Sequence, residues 1–444
     1  MQSKYIHYSN LSSRLDPLYY LSDLAIFTDR QITASIGELC SSMYSGFAAG
    51  KETQVKKESG YIQIRPTNIM PDGRLSFEKN VYVPKNRNYT FIPQKAVLFN
   101  NTNSQELVGK TAILDLPNED QYYCSNHITV IIPDQTKLIP EYLWIILNLY
   151  QRRTIFYSIC TNWNNQSGVN VNLLKSIRIP IFSKEANVSL DYQRKIVAIW
   201  LEAFSVERTK EQEAKDLLDS IDDYLLSELG IERPTPVRTE NGRFFYTSFK
   251  EITGGELAPI SVQNRGKQSK STQYKEIKLS TIASITKGQA ITSKEIVDGE
   301  YPVIAGGQSS PYTHNQYNHK GDVITVSASG AYSGYVWYHD YPIFASDCSV
   351  IFSKDNNVFL TKYIYEILRL RQKEIYLLQK GAGQPHVYAS DLAQITIPVV
   401  SIEKQMEIIL HCNNLRIAAA ELTQEGKNLV ESAKMTIEAM ILGE

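Results

Sequence analysis

Cysteine is scarce in this chain, five residues in 444, and the five (Cys40, Cys124, Cys160, Cys348 and Cys412) lie far apart. Their number is odd and no two form a C-x-x-C pair, which indicates neither a disulfide framework nor a zinc cluster. They read as buried or incidental thiols. Long apolar runs are missing as well: none approaches the roughly 18–20 residues that a membrane-spanning helix needs. The opening Met-Gln-Ser-Lys-Tyr-Ile-His has no apolar signal core after its lysine. A cytoplasmic protein with no membrane partner is expected. Excess charge is also lacking, since 46 basic and 47 acidic residues leave a net charge of −1. Phosphate neutralisation by Lys and Arg normally dominates nucleic-acid affinity, so this balance speaks at first against such a partner.

Catalytic templates are missing one after another. Gly46-Phe47-Ala48-Ala49-Gly50-Lys51 falls a residue short of a P-loop, and Glu52 stands where the magnesium-binding hydroxyl belongs. The stretch around Ser327, Ser329 and Gly330 has no G-x-S-x-G elbow. The seven histidines have no metal spacing; His314 and His319 are five apart in a loop. Asp16-Pro17-Leu18-Tyr19 superficially resembles the D-P-P-Y element of amino-methyltransferases, but it lacks the second proline and no F-x-G-x-G cofactor loop occurs. No catalytic residue, metal or cofactor is expected.

What is there is a long-period repeat. Arg14-Leu15-Asp16-Pro17 precedes Glu256-Leu257-Ala258-Pro259 by 242 residues, and Met43-Tyr44-Ser45-Gly46 precedes Ile285-Thr286-Lys287-Gly288 by the same interval. The offset then falls in steps: 240 for Tyr61 and Ile64 against Tyr301 and Ile304, 221 for Ser125–Leu147 against Ser346–Leu368, 218 for Ile179-Pro180 against Ile397-Pro398, and 212 for Gln193 against Gln405. Fixed order with a stepwise offset is what two copies of one fold differing by loop insertions produce. The charge follows the same plan. Residues 1–188, 189–232, 233–400 and 401–444 carry net charges of +4, −6, +4 and −3, so two mildly basic blocks alternate with two acidic ones.

Each copy reads as mixed α/β with many short strands. Ala96–Phe99, Lys110–Leu114, Ile128–Ile132, Val323–Val326, Tyr335–Tyr338 and Ser349–Phe352 are β-branched and aromatic segments between turn residues. Helices follow at Pro140–Ile159 and Thr361–Leu378, and Ile-Pro strands close the copies at 177–181 and 395–399. After each copy comes a long proline-free helical stretch with a seam spaced alternately by four and three. One seam runs through Ile196, Trp200, Ala203, Ala214, Leu217, Ile221 and Tyr224, with Glu207 and Lys210 at two of its positions. The other runs through Ile408, Cys412, Leu415, Ala419, Leu422, Gly426, Leu429, Ala433, Thr436 and Met440. Such seams mark a coiled coil, and helices of about 60 Å each pair most economically with one another. The expected fold class is α/β (α+β): two similar mixed α/β domains, 1–188 and 233–400, joined by helical regions 189–232 and 401–444.

Polar and glycine-rich loops occur at matching places: 100–104 and 162–168 in the first copy, 327–333 and 380–386 in the second. Asn and Gln can bond adenine bidentately, Ser suits several base acceptors, and glycine lets backbone amides approach phosphate. Turn chemistry favours the same residues, and for any one loop it is the simpler account. Four loops at corresponding positions favour recognition. The candidate base readers are Asn101, Asn103, Asn164, Asn165 and Gln166 in the first copy and Gln308, Ser309, Ser329, Tyr332 and Gln384 in the second. Asn68 joins them from the strand at 61–69, and Arg65, Lys110, Lys287 and Lys380 are candidates for phosphate contact.

Across nearly its whole length the chain resembles the specificity (S) subunits of Type I restriction–modification enzymes. The residues that carry the resemblance are Arg14-Leu15-Asp16-Pro17 with Tyr19-Tyr20, the strand Tyr61–Ile69, the two Ile-Pro closures, and the helix starts Gln193-Arg194-Lys195-Ile196 and Gln405-Met406-Glu407-Ile408. Glu256-Leu257-Ala258-Pro259 departs from the opening motif and leaves the start of the second domain open. The resemblance implies two target-recognition domains related by a pseudo-two-fold and held apart by an antiparallel coiled coil acting as a ruler, each reading one half of a bipartite, asymmetric double-stranded DNA target. It also implies docking of two methyltransferase (modification) subunits, which recruit motor and nuclease (restriction) subunits, with all chemistry on those partners. A free-standing DNA methyltransferase with a fused recognition domain, and the recognition subunit of a Type IIB or other phage-defence complex, stand as alternatives.

Overall fold

The structure, a computed structural model, describes residues 32–85, 89–116, 121–164, 166–232, 269–381 and 383–442. Asp16-Pro17-Leu18-Tyr19, its counterpart Glu256-Leu257-Ala258-Pro259 and the candidate reader Asn165 lie outside the described residues. The chain divides into two compact units. Unit 1 takes residues up to Arg208 and those from Glu425 onward; unit 2 takes Thr209 to Gln424.

Unit 1 is built on an antiparallel sheet in the order β2 (Cys40–Ser45), β9 (Ile128–Pro133), β5 (Val97–Asn100), β7 (Thr111–Ile113). Its central strands are mostly apolar because both faces are covered. Successive side chains of a strand point to opposite faces, and here Val97, Phe99 and Ile131 join a helical core while Leu98, Ile128 and Val130 join a second one. The helical core is filled by α1 (Pro140–Arg152) and α2 (Ile155–Ile159). The other includes residues of a small sheet in which β3 (Tyr61–Ile64) lies between antiparallel β4 (Val81–Val83) and parallel β8 (Tyr123–Cys124). A ladder of β1 (Thr33–Ser35) on β12 (Arg178–Pro180), and a hairpin of β10 (Thr161–Trp163) and β11 (Gln166–Gly168) on β6 (Thr102–Asn103), complete the unit.

Unit 2 repeats this plan. Its main sheet has the order β16 (Ala283–Lys287), β22 (Cys348–Ser353), β19 (Val323–Ser327), β20 (Val336–His339). Its small sheet sets β17 (Tyr301–Ile304) between antiparallel β18 (Thr313–His314) and parallel β21 (Phe344–Ala345). β15 (Glu276–Lys278) pairs with β23 (Thr396–Pro398) as β1 pairs with β12. A two-residue ladder, β13 (Ile231–Glu232) on β14 (Lys270–Ser271), is added. Single hydrogen bonds recur at matched positions. Tyr142 Oη donates to Pro180 O and Tyr363 Oη to Pro398 O, both at 2.9 Å. The matched glycines have one reason: a Cβ on Gly46 would lie 2.0 Å from Cys124 O, and one on Gly288 2.0 Å from Ser346 O. Only glycine permits that approach.

Register refines the repeat. Ile131 faces Met43 as Ile351 faces Ile285, an offset of 220 rather than 221. Ser125 and Ser346 still match at 221, each donating its N–H to Ile64 O or Ile304 O. Unit 2 therefore has Asp347 alone where unit 1 has Asn126-His127, and it regains the residue before its helix.

Each expected single helix is two. Thr154, at φ +57°, separates α1 from α2. Arg371 separates α4 (Thr361–Leu370) from α5 (Gln372–Tyr376), taking its label after the long helix α3 (Ala186–Glu228). The break in unit 1 turns Ile155, Phe156 and Ile159 back onto the core, which a straight helix would carry past it.

The halves of α3 and of α6 (Ile402–Leu442) meet within each unit. In unit 1, Ile196 and Trp200 share a core with Val430, Ile437 and Ile441, and Arg153 is ion-paired to Glu438. In unit 2, Lys404 is paired to Glu228 and the Tyr224 ring lies 3.9 Å from that of His411, so the two stretches run antiparallel. The expected seam holds at Ile408, Cys412, Ala419, Gly426 and Ala433 but not at Leu429 or Thr436. Leu429 is 43% exposed and Thr436 is exposed, whereas Val430 and Ile437 are buried. The buried face here follows the natural 3.6-residue period, which carries it off a strict 3.5-residue line and onto the core of unit 1.

Candidate functional site

In unit 1 two adjoining clefts of about 270 and 390 Å³ open beside the mouths of β3, β5 and β9. Pro66 and His127 line both. The smaller adds Ala48-Ala49-Gly50, Arg65 and Asn126; the larger adds Asn103, Lys110 and Gln166. The two polar loops meet here, since Asn103 pairs with Ser167 where β6 joins the hairpin. Gln166 is exposed on that hairpin, and Asn164 forms its turn at φ +42°, a conformation asparagine accepts more readily than most residues. The Trp163 ring covers Gly168, where a Cβ would meet it at 2.3 Å.

Three candidates have internal roles. Asn68, 2% exposed, accepts from Arg65 N at 2.9 Å and donates to Ser76 O at 2.9 Å, which holds the turn after β3. Asn101, 8% exposed, donates to Thr129 Oγ1 at 3.0 Å and accepts from the Thr102 hydroxyl at 2.8 Å. The Lys110 ammonium donates to Pro66 O at 3.0 Å and Ile69 O at 2.6 Å, and burial holds its pKa below the usual lysine value. Arg65 is half-buried, with Nη2 on Ala49 O at 2.8 Å and Nε on Gln63 Oε1 at 3.0 Å. These four have internal partners, while Asn103 and Gln166 line the larger cleft and Asn164 is exposed at the hairpin turn. Asn126 and His127 were not among the expected residues. Their only signal is position, just before β9 in the turn that changes length between the copies.

Unit 2 assembles its loops in the same place. Ser329 bridges to His386, and His386 in turn to Lys380. Val387 N donates to Ala328 O at 3.0 Å, as Val169 N does to Asn101 O at 2.9 Å. Ser327 Oγ donates to Gly307 O at 3.2 Å and so ties in the loop that exposes Gln308 and Ser309. The Ser329 hydroxyl donates to the Asp347 carboxylate. Tyr332 is 49% exposed, and Gln384 and Lys287 are exposed. Lys380 is ion-paired to Asp391 at 2.9 Å, with its ammonium 5.5 Å from the Tyr388 ring centre. Both units thus present hydroxyl and amide groups on paired loops. Among the described residues, no three His, Cys, Asp or Glu side chains are grouped to hold a metal ion, and no helix is long and apolar enough to cross a membrane.

The family model described as the Type I restriction modification DNA specificity domain matches residues 33–216 and 271–432. The chain belongs to this family. Over 85 residues it is 33% identical to the putative type I restriction enzyme MjaX specificity subunit of Methanocaldococcus jannaschii, covering 19% of this chain and 20% of that one. The chain thus matches about a fifth of the length of that relative. Over 368 residues it is 21% identical to the putative type I specificity subunit S.MpnORF638P of Mycoplasma pneumoniae, covering 82% of this chain and 87% of that protein. Its fold is similar, at a TM-score of 0.54 and 14% identity, to a chain solved in work on complex assembly and conformational transition of the type I R-M system, with 94% and 97% of the two chains covered. Each of the two stretches matched by the Type I specificity domain covers most of one copy of the repeat, so the duplication and the family coincide.

Proposed function

We propose that this chain is the DNA-reading subunit of a Type I restriction–modification system. Each unit grips one half of a split, asymmetric double-stranded target, through recognition domains at 1–188 and 233–400. The helical regions 189–232 and 401–444 form an antiparallel coiled coil that sets the spacing between half-sites, as dimer geometry does in other bipartite readers. The chain does no chemistry and needs no cofactor; two methyltransferase subunits modify the DNA, and motor and nuclease subunits join through them. The observation that carries this reading is the paired polar loops at corresponding ends of two like-folded units. Asn103, Asn164, Asn165 and Gln166 read bases in the first half-site, and Gln308, Ser309, Ser329, Tyr332 and Gln384 in the second, with Lys287 and Lys380 on phosphates. Exposed apolar side chains on the long helices, among them Leu201 and Leu218 on α3 and Met406, Leu410 and Ile417 on α6, are the docking surface for the methyltransferase subunits.

Sequencing of modified bases in cells that carry the methyltransferase partner, with and without this chain, tests the proposal. A motif of two specified blocks around an unspecified spacer, seen only with the chain, is expected. A continuous motif, or a motif independent of the chain, would contradict it.

A further inference from the structure

The two loop clusters differ in one chemical respect. In unit 1 the turn before β9 carries neutral Asn126 with His127 at the junction of two clefts. In unit 2 the corresponding turn carries a single exposed carboxylate, Asp347. Its oxygen is held by the Ser329 hydroxyl, and its backbone carbonyl accepts from Ala328 N at 3.2 Å. Gly306 lies alongside: a Cβ there would be 2.7 Å from Ser329 O and 3.5 Å from the Asp347 carboxylate, so the glycine leaves the acid uncovered. The cluster around Asp347 is the one that exposes Gln308 and Gln384.

A carboxylate in a DNA-facing cluster is repelled by phosphate and can only accept hydrogen bonds. In the major groove the groups that offer it a donor are the exocyclic amines, N4 of cytosine and N6 of adenine. Resting on the DNA-reading function above, we propose that Asp347 is a specificity-determining residue of unit 2 that accepts from the amino group of one cytosine or adenine in its half-site, with Ser329 fixing the direction of the carboxylate. Unit 1 has no acid at the matched turn and makes no such demand.

The test maps modified motifs in cells carrying the cognate partner subunits with wild-type chain, Asp347→Asn or Ser329→Ala. Asparagine has the same shape but adds a donor and removes the charge. Asp347→Asn is expected to relax or switch one base pair of the unit 2 half-motif, with about ten-fold loss of discrimination there and the other half-motif unchanged. Ser329→Ala is expected to weaken preference at that same position. Should Asp347→Asn abolish modification altogether, Ser329→Ala decides: relaxation at one base pair of a single half-motif supports the proposal, and an unchanged motif overturns it. An unaltered motif with Asp347→Asn, or a change spread over both half-motifs, also overturns it. In each of these results a split motif still depends on the chain, so the DNA-reading function survives; a wild-type chain that supports no split motif overturns that function instead.

Discussion

Gln193 and Gln405, both fully buried, stand near the roots of the two long helices and do the same work. Gln193 accepts from Ile139 N at 2.8 Å and donates to Lys137 O at 3.0 Å; Gln405 accepts from Leu360 N at 2.9 Å and donates to Val358 O at 2.9 Å. Each side chain thus clamps the start of its unit's core helix. Truncation removes the side-chain partner of two part-buried backbone groups, and a fully buried unsatisfied one costs about 1–3 kcal/mol. Gln193→Ala and Gln405→Ala are each expected to destabilise by about 2–4 kcal/mol in urea unfolding; a loss below about 0.5 kcal/mol, the scale of ordinary surface changes, would refute the clamp. His339 supplies a pH signature. Burial lowers its pKa from 6.5 to about 4, and its Nε2 lies 2.8 Å from Thr325 Oγ1. The unfolded chain therefore binds this proton more readily, so the stability held above about pH 6.5 falls as pH drops towards 4. His339→Gln should flatten the stability profile across that window relative to wild type; equal slopes would contradict it.

At the scale of elements, the sequence makes strands more legible than seams. Runs of β-branched and aromatic residues between turn residues locate β5, β9, β19 and β22 to within a residue or so, because both faces of those strands are buried. Local pattern alone does not reveal the break at Thr154 or the departure of α6 from its heptad, since tertiary packing imposes both. Leu429 and Val430 separate the two readings of α6. Val430→Ala is expected to cost about 1–2 kcal/mol, as loss of buried methyl groups does, and Leu429→Ala less than about 0.5 kcal/mol. Thermal unfolding of the two variants measures the difference, and the reverse order would restore the seam read from the sequence.

At the scale of the whole chain, duplication was readable from a handful of residues in fixed order, and the matching order of the main and small sheets in the two units bears it out. The candidate site was readable at the level of loops, which do pair in each unit, but not of every side chain. Asn68, Asn101 and Lys110 have the right chemistry for recognition, yet the fold uses them to hold turns. Asn126, His127 and Asp347 became visible only through strand register. The central claim is that each unit reads its own half of one target, and the decisive measurement maps modified bases in cells carrying Gln166→Ala in unit 1 or Gln384→Ala in unit 2. The account predicts that each substitution alters a different half of the motif and leaves the remaining half and the spacer untouched. Changes to both halves from a single substitution, or the same half altered by both, would contradict it.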